Sequence, residues 1–410
     1  MSRGRPSWST GDGRLAEVVA VLRALVRQDS INPPGHTVGV AGVAAEWLRG
    51  QGLLPEIVSA HPDKPNIVVQ IDNGPGRHLV FNAHLDTVPP GDPSAWSVPV
   101  HDLTARDGRL HGLGTGNMKG AAAAMMLATR NLARDRAGWS GRISLTLVAD
   151  ECVFGPDGAG ALLERRPDLL GDLLICGEGP GGMHLAIAEK GLLWLRLAAA
   201  GPVGQGMLAR ARSSATTRLA AALLALDDLN DLGIPCPIAA LDHDANRDGR
   251  RVSVNVGRIE GGGFISQSAS LAQADIDIRL PPGLTLADLS QRLDAICVAH
   301  GARWQQIKGW DANWTDPAHE LVAVVQAVAG DNRHMPVHLV TRLPASDASR
   351  WRRAGIPAVC YGPQPDLASG VDDYVVEKDL ADCVDIYERA ARRLLGTGSC
   401  GKDSGAAAHP

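Results

Sequence analysis

The chain has 410 residues, of which 45% are hydrophobic, and a formal net charge of −5. This length and composition are sufficient for the cores of two domains. The charge shows no basic excess that would indicate nucleic-acid binding, and no apolar run of 18 residues predicts a membrane span. The seven cysteines are scattered, odd in number and without a C-x-x-C pair, so we predict reduced thiols in a cytoplasmic protein. Residues 1–13 are predicted to be a disordered lead-in without the apolar segment of a signal peptide.

Helix and strand patterns alternate along the first part of the chain. The alternation predicts an α/β/α domain with a largely buried sheet. An Ala-rich run at 118–132 favours a helix by propensity alone. The other predicted helices are at 15–26 and 38–49, and the predicted strands are at 56–71, 78–84, 142–149 and 173–177.

The pattern changes near residue 188. Strands predicted at 192–200, 252–259 and 272–280 and helices predicted at 213–226 and 286–300 occur in the order β-α-β-β-α. This order is typical of a small α+β module with one helical layer over a sheet. The first pattern then resumes, with a helix at 320–329, a strand at 357–361 and a helix at 380–395. We therefore predict a discontinuous catalytic-type domain at 14–187 and 303–396, an inserted lid domain at 188–302, and a disordered tail at 397–410.

Polar side chains follow three of the predicted strands at the points where these strands end. In α/β folds this edge of the sheet is where functional sites are usually built. Another polar residue, Asn117, precedes the Ala-rich helix, whose N-terminal amides add positive potential. The residues that follow the three strands are His84, Asp86, Glu151, Cys152 and Glu178.

Several longer segments occur together with these residues. They are HLDTVPPGD, DGRLHGLGTGNMKG, ADECVFG, CGEGP, EKG, GPVGQ, DIDIR and SDASRWRRAGIPAVCYGP. In this order and at this spacing they resemble the zinc-dependent aminoacylase/carboxypeptidase family that includes acetylornithine deacetylase and succinyl-diaminopimelate desuccinylase. The resemblance covers nearly the whole chain. It implies a two-metal site in the large domain and a smaller lid domain that often pairs two chains into a homodimer.

Four positions match the residues that the family uses for chemistry. The resemblance implies that His84 is a ligand of the first metal and that Asp86 orients its ring, since a carboxylate on the second nitrogen fixes the tautomer of a histidine ligand. It also implies that Glu178 is a carboxylate ligand of the same metal. Glu151 matches the general base that takes a proton from water.

Three of the five ligand positions differ from the family. Asn117 stands in place of the bridging aspartate, Cys152 in place of the second-metal carboxylate, and Ser369 in place of the last histidine. A neutral amide offers one carbonyl oxygen and no charge. We therefore expect at most one zinc per chain, held by His84, Glu178 and either Asn117 or Cys152, because an N/O/S donor set suits zinc.

The resemblance also implies substrate contacts. Arg279 matches an arginine that binds the substrate carboxylate, because a guanidinium can donate two parallel hydrogen bonds to a carboxylate. Gln205 replaces a lid histidine, and it can donate a hydrogen bond but has no titratable proton. Ser266 falls near the family's companion asparagine. We assign these three residues and Ser369 to substrate binding, and Asp347 to a structural role.

Three hypotheses for the function remain open. The first is a single-metal amidase for an N-acyl amino acid or small peptide-like metabolite, with Glu151 as base. The second is metal-independent acyl transfer or amide-forming condensation through a relay of Cys152, His84 and Asp86. The third is a catalytically silent relative that binds a small carboxylate or a protein partner. We favour an enzyme, because Glu178 and the three other matching residue types are all present.

Overall fold

The structure is a computed structural model that describes residues 13–230, 232–365 and 370–396. The predicted disordered lead-in, apart from residue 13, and the predicted tail lie outside these residues. The chain divides into two compact units. Unit 1 comprises Met1–Ala186, Thr315–His338 and Ser346–Pro410, and unit 2 comprises Ile187–Trp314 and Leu339–Ala345.

The α-helices of the described residues fall mainly where apolar residues recur at a period of 3.6. In chain order they are α1 (Gly13–Val26), α2 (Val38–Gly50), α3 (Gly120–Arg134), α4 (Ala159–Arg165), α5 (Ala215–Asp227), α6 (Leu286–His300), α7 (Glu320–Arg333), α8 (Ala348–Arg353) and α9 (Glu377–Leu394).

The strands are short, and many of them are buried on both faces. In chain order they are β1 (Glu56–Ser59), β2 (Pro65–Asn73), β3 (His78–His84), β4 (Thr104–Arg106), β5 (Arg109–His111), β6 (Gly141–Val148), β7 (Leu173–Cys176), β8 (Leu185–Glu189), β9 (Gly191–Ala200), β10 (Gly204–Gln205), β11 (Ser253–Gly261), β12 (Gln267–Ser268), β13 (Leu271–Leu280), β14 (Ala302–Trp310), β15 (Asn313–Trp314), β16 (Leu339–Arg342), β17 (Ala358–Cys360) and β18 (Tyr374–Val376).

Unit 1 contains a mixed sheet whose strands follow the order β1-β2-β6-β3-β7-β17. The central strands β6, β3, β7 and β17 are parallel neighbours, whereas β1 and β2 add antiparallel pairs at one side. The apolar side chains of β3 and β6 are almost all buried, as expected for strands covered on both faces. Helix α3 packs against α1 and α9 and buries most of its Ala-rich surface. The predicted α/β class of the large domain is confirmed.

Unit 2 contains an antiparallel four-stranded sheet in the order β11-β13-β9-β14. Helices α5 and α6 pack together, and their apolar side chains form one hydrophobic core with those of the sheet. A Thr285–Asp288 capping box begins α6, and Gly301 ends it with a left-handed φ of 64°. This α+β arrangement agrees with the fold class predicted for the inserted module.

The structure differs from the predicted division at residue 302. The segment after α6 was assigned to the large domain, but it forms β14, which pairs with β9 of unit 2 from Ala302 to Trp310. Unit 2 therefore continues to Trp314, and it also includes residues 339–345. The predicted strand at 56–71 is likewise two strands, β1 and β2, joined by a turn.

The state of the cysteines and the length and polarity of the helices can be compared with the sequence-based expectations. Six cysteines lie within the described residues, and all six are free thiols, whereas Cys400 lies outside them. Over the same residues, every helix is too short or too polar for a transmembrane segment.

Candidate active site

The parallel strands β6, β3 and β7 bring the predicted site residues of unit 1 to one edge of the sheet. His84 is the last residue of β3 and pairs in register with Val148, the last residue of β6. Glu151 follows β6 after a short turn, and Glu178 follows β7 by two residues. Because the carboxyl ends of parallel strands lie at the same edge, these three side chains converge.

Close backbone packing positions the loop that carries Glu178. A Cβ at Gly362 would lie 1.7 Å from the Gly177 carbonyl oxygen, and a Cβ at Gly179 would lie 2.4 Å from the Gly362 carbonyl oxygen. No side chain fits at such distances, so glycine is required for the two segments to approach. The loop after β7 is thereby held against the segment after β17.

The loop before α3 carries Asn117 and is shaped by Asp373. The buried Asp373 carboxylate accepts a hydrogen bond from the Gly114 amide at 2.9 Å, and its backbone carbonyl accepts one from the Gly112 amide at 2.9 Å. A Cβ at Gly116 would lie 2.7 Å from Asp373 Oδ1. These contacts fix the path of the chain immediately before Asn117.

The Nε2 atom of His84 faces three oxygen atoms. It lies 3.2 Å from Asn117 Oδ1, 3.2 Å from Glu178 Oε1 and 3.6 Å from Glu151 Oε2. The other oxygen of Glu151, Oε1, is buried and has no hydrogen-bond partner among the described residues. One nitrogen and several carboxylate or amide oxygens around one point form a donor set that suits a divalent cation such as zinc. Two buried carboxylates this close repel each other unless a cation or a proton compensates their charge.

The other nitrogen of the His84 ring faces Asp86. Nδ1 lies 2.9 Å from the Asp86 carbonyl oxygen and 3.3 Å from its Oδ1. Oδ1 also accepts a hydrogen bond from the Glu151 amide at 3.2 Å, and Oδ2 accepts one from the Cys152 amide at 3.0 Å and one from Asn32 Nδ2 at 2.8 Å. The fully buried carboxylate therefore has its accepting positions occupied by protein groups.

Burial and mutual charge determine the protonation of this cluster. Burial and the neighbouring Glu178 carboxylate raise the pKa of Glu151 well above its ordinary value. Burial lowers the pKa of His84, but its neighbours Cys152 and Glu151 and a hydrogen bond to Asp86 outweigh this effect, so that the pKa is raised well above its ordinary value. Burial raises the pKa of Asp86, but hydrogen bonds from His84 and Asn32 lower it to about 2. The cluster thus disfavours more negative charge unless a cation is present.

The charges of this cluster affect the pKa of Asp347. Burial raises the pKa of its carboxyl to about 6, with Arg350 and His84 opposing the shift and Glu178 adding to it. Its Oδ2 atom is buried and has no hydrogen-bond partner among the described residues. The sequence indicated only a structural role, because the approach of Asp347 to the strand ends depends on the fold.

The residues assigned to substrate binding do not form one cluster. Gln205 and Ser266 are both exposed and lie close together in unit 2, where the Gly206 amide donates a hydrogen bond of 2.7 Å to the Ser266 carbonyl oxygen. Arg279 lies on β13, and its guanidinium donates two hydrogen bonds to Asp277 at 2.8 and 2.9 Å. Its Nη1 atom is buried without a partner in the described part of the chain. Ser369 lies outside the described residues.

Three polar residues that no local sequence pattern indicates lie next to Asp86. Asn32, Lys64 and Asp150 form a hydrogen-bonded series that ends on Asp86. Asn32 lies in a Pro-rich segment and Asp150 follows β6, and neither position by itself indicates a contact with Asp86. Their contacts join residues 54, 118 and 86 positions apart, and local patterns do not detect such separations.

An α/β fold with a buried cluster of one histidine and several carboxylates at the strand ends is typical of metal-dependent hydrolases. The sequence pattern of peptidase family M20/M25/M40 matches residues 80–393. The chain belongs to this family of hydrolases.

Individual relatives span nearly the whole chain. A succinyl-diaminopimelate desuccinylase of Paracidovorax citrulli (strain AAC00-1) is 28% identical over 403 residues, which cover 93% of this chain and 98% of the relative. The M20 family metallo-carboxypeptidase Sso-CP2 from Sulfolobus solfataricus has a similar structure, with a TM-score of 0.72, 17% identity and coverage of 92% of this chain and 98% of the other. The YXEP protein of Bacillus subtilis, a dinuclear metal-binding peptidase, has a TM-score of 0.67 at 12% identity, with 93% and 98% covered. The two structural likenesses show the shared fold.

Proposed function

We propose that this protein hydrolyses the amide bond of an N-acyl amino acid or a small peptide-like metabolite, with one zinc ion per chain and Glu151 as general base. The observation that carries the proposal is the convergence of Asn117 Oδ1 and Glu178 Oε1 on His84 Nε2, each at 3.2 Å. Membership of a peptidase family and likeness to a desuccinylase support an amide substrate.

His84, Glu178 and Asn117 are the residues that would hold the ion. They supply one imidazole nitrogen, one carboxylate oxygen and one amide oxygen, and all three side chains are buried or half-buried. Three protein ligands leave a fourth position open, which is the arrangement of catalytic zinc sites. When bound, zinc would act as a Lewis acid toward the amide carbonyl and lower the pKa of water.

A second ion has no comparable donor set in the described residues. The other group of possible ligands is His84, Asp86 and Cys152. The Asp86 carboxylate, however, already accepts hydrogen bonds from Asn32 and from the Glu151 and Cys152 amides. With the contact to His84 Nδ1 at 3.3 Å, all four of its accepting positions are used, and none is free for a metal. This agrees with the loss of second-metal ligands at Asn117 and Cys152.

Glu151 is suited to transfer a proton from water to the leaving amine. Its Oε2 atom lies 3.6 Å from His84 Nε2, beside the proposed ion, and its Oε1 atom has no partner among the described residues. Burial and the Glu178 carboxylate raise the pKa of Glu151, whereas a bound cation would lower it, so that the ionised carboxylate would be available as a base. Glu151 would take the proton from water and return it to the leaving amine.

The state of Cys152 argues against the metal-free relay. Burial and the neighbouring Asp86 carboxylate raise the pKa of its thiol well above the ordinary value, although His84 opposes the shift. A nucleophilic cysteine needs the opposite shift, because the thiolate is the reactive form. The thiol is therefore expected to remain protonated at neutral pH.

This expectation can be measured by alkylation. In the chelator-treated protein, iodoacetamide is expected to label Cys152 slowly from pH 6 to 9, with no inflection in that range, because the thiolate is not populated there. Peptide mass spectrometry at each pH gives the rate. Rapid labelling of Cys152 at pH 7 would support the metal-independent relay and contradict the protonated thiol.

We also propose that the protein is a homodimer formed through unit 2. The support is a group of large apolar side chains exposed near β10 and β12, since contiguous exposed apolar surface marks interaction sites. These residues are Val203, Met207, Leu208, Phe264 and Ile265. Sedimentation velocity is expected to show a dimer for the wild type, and a shift toward monomer for Met207→Glu combined with Phe264→Glu. A wild-type monomer at micromolar concentration would contradict the proposal.

The proposed activity is tested by a substrate screen of the zinc-supplied protein. N-acetyl and N-succinyl amino acids and dipeptides are the candidate substrates, and release of the free amine is the readout. Turnover of at least one such amide is expected, with loss of turnover in Arg279→Leu if this arginine binds the substrate carboxylate. Absence of turnover across the set would refute the proposal.

A further inference from the structure

The turn that follows β6 is built around the buried carboxylate of Asp150. Oδ1 accepts hydrogen bonds from Lys64 Nζ at 2.6 Å and from Asn32 Nδ2 at 3.1 Å, and Oδ2 accepts one from the Asp157 amide at 3.1 Å. The Lys64 side chain is only 16% exposed, and the Asp150 side chain is not exposed at all. Solvent screens such a pair weakly, so the charge-assisted bond holds the carboxylate firmly.

The turn closes tightly on this carboxylate. A Cβ at Gly155 would lie 1.9 Å from Asp150 Oδ2, and the Gly155 amide donates a hydrogen bond of 2.9 Å to the Asp150 carbonyl oxygen. Asp150 itself has a φ of 62°, which is uncommon for residues other than glycine, asparagine and aspartate. The path of the turn therefore depends on where the Asp150 carboxylate is held.

Asn32 connects this turn to the strand end that carries His84. Its Nδ2 atom donates to Asp86 Oδ2 at 2.8 Å and to Asp150 Oδ1 at 3.1 Å, which uses both hydrogens of the amide. Asn32 is 2% exposed. Asn32 thus donates hydrogen bonds to the carboxylates of both Asp86 and Asp150. The Lys64 ammonium places a positive charge beside Asp150.

We propose that Lys64 is a positioning residue of the active site, acting through Asp150 and Asn32 on Asp86. Asp86 in turn holds the His84 ring through Nδ1 and anchors the two backbone amides that follow Asp150. Lys64 therefore sets the geometry of a zinc ligand and of the general base without touching either. The inference rests on the proposed function, since it concerns the zinc ligand and base assigned there.

The test is zinc affinity, measured by competition with a chromophoric chelator. Lys64→Met keeps the length of the side chain but removes its charge, and it is expected to weaken zinc binding by about threefold or more. This is less than the roughly 10–100-fold that removal of a direct hydrogen-bond partner of a metal ligand costs. Lys64→Arg keeps the charge and is expected to bind zinc more tightly than Lys64→Met does. Lys378→Met is the matched control, because its side chain is 68% exposed, and it is expected to bind zinc as the wild type does.

A second readout does not depend on zinc. In the metal-free protein, Lys64→Met is expected to increase the alkylation rate of Cys152, whose amide is held by Asp86, without increasing that of Cys176. Cys176 is 1% exposed in β7 and reports global unfolding. If Lys64→Met does not fold, Lys64→Gln is measured by the same two methods.

The outcomes separate this inference from the proposed function. Unchanged zinc affinity and unchanged Cys152 labelling in the folded variant would overturn the role of Lys64 while leaving the zinc amidase intact. An equal loss of affinity in Lys64→Arg and Lys64→Met would also overturn it, because retaining the charge would then have no effect. If the wild type binds no zinc, the proposed function fails, and Cys152 labelling alone decides the inference.

Discussion

Replacing Glu151 with glutamine is expected to lower kcat for the amide substrate by roughly 10²–10⁴-fold, the usual contribution of a positioned general base. Glutamine has nearly the same shape but cannot accept a proton from water. Zinc affinity is expected to change little, because the proposed ligands are His84, Glu178 and Asn117. Steady-state kinetics and zinc titration on the same preparation provide both quantities.

The matched control for this substitution is Glu164→Gln. Glu164 is an exposed residue of α4, so its replacement is expected to leave kcat within about twofold of the wild type, as most surface substitutions do. Wild-type activity in Glu151→Gln would refute both the base assignment and the metal-dependent mechanism. A parallel loss of zinc and activity in Glu151→Gln would instead make Glu151 a ligand.

Replacing His84 with alanine is expected to weaken zinc binding by more than about 100-fold, since even outer residues that only orient a ligand contribute 10–100-fold. His84 provides the only nitrogen of the proposed donor set and lies 3.2 Å from each of the two oxygen ligands. The activity is expected to fall with the bound zinc. Equilibrium dialysis followed by elemental analysis measures the affinity.

His101→Ala is the control for this variant. His101 is exposed and lies outside the cluster, so the zinc affinity of His101→Ala is expected to match that of the wild type. Retention of tightly bound zinc by His84→Ala would place the ion elsewhere and contradict the proposed site.

Much of the site was predictable because its residues follow hydrophobic strands. His84 ends the buried strand β3, and Glu151 and Glu178 follow the ends of β6 and β7 within three residues. Parallel pairing brings these strand ends together. The position of Asn117 before α3 was also predictable from the Ala-rich helix that follows it. Local sequence patterns are sufficient to predict a site residue when that residue lies at the end of a single hydrophobic strand.

Other features depend on contacts between distant parts of the chain. No residue of β14 is buried, and the alternation of apolar and polar residues breaks at Gln305 and Gln306. Its sequence therefore did not predict a strand, which forms by pairing with β9. The role of Lys64 was missed because its partner, Asp150, lies 86 residues away. Asp347 was judged structural for the same reason, since only the fold brings its carboxyl near the cluster.

The zinc content of the purified protein distinguishes a single-metal site from a two-metal or a metal-free site. The protein is prepared without chelators, supplied with excess zinc, desalted and measured by elemental analysis against its concentration. The structure predicts about one zinc per chain, because only the Nε2 side of His84 offers a donor set with an open position in the described part of the chain. Two tightly bound zinc ions per chain, or none after zinc is supplied, would contradict a single-metal amidase.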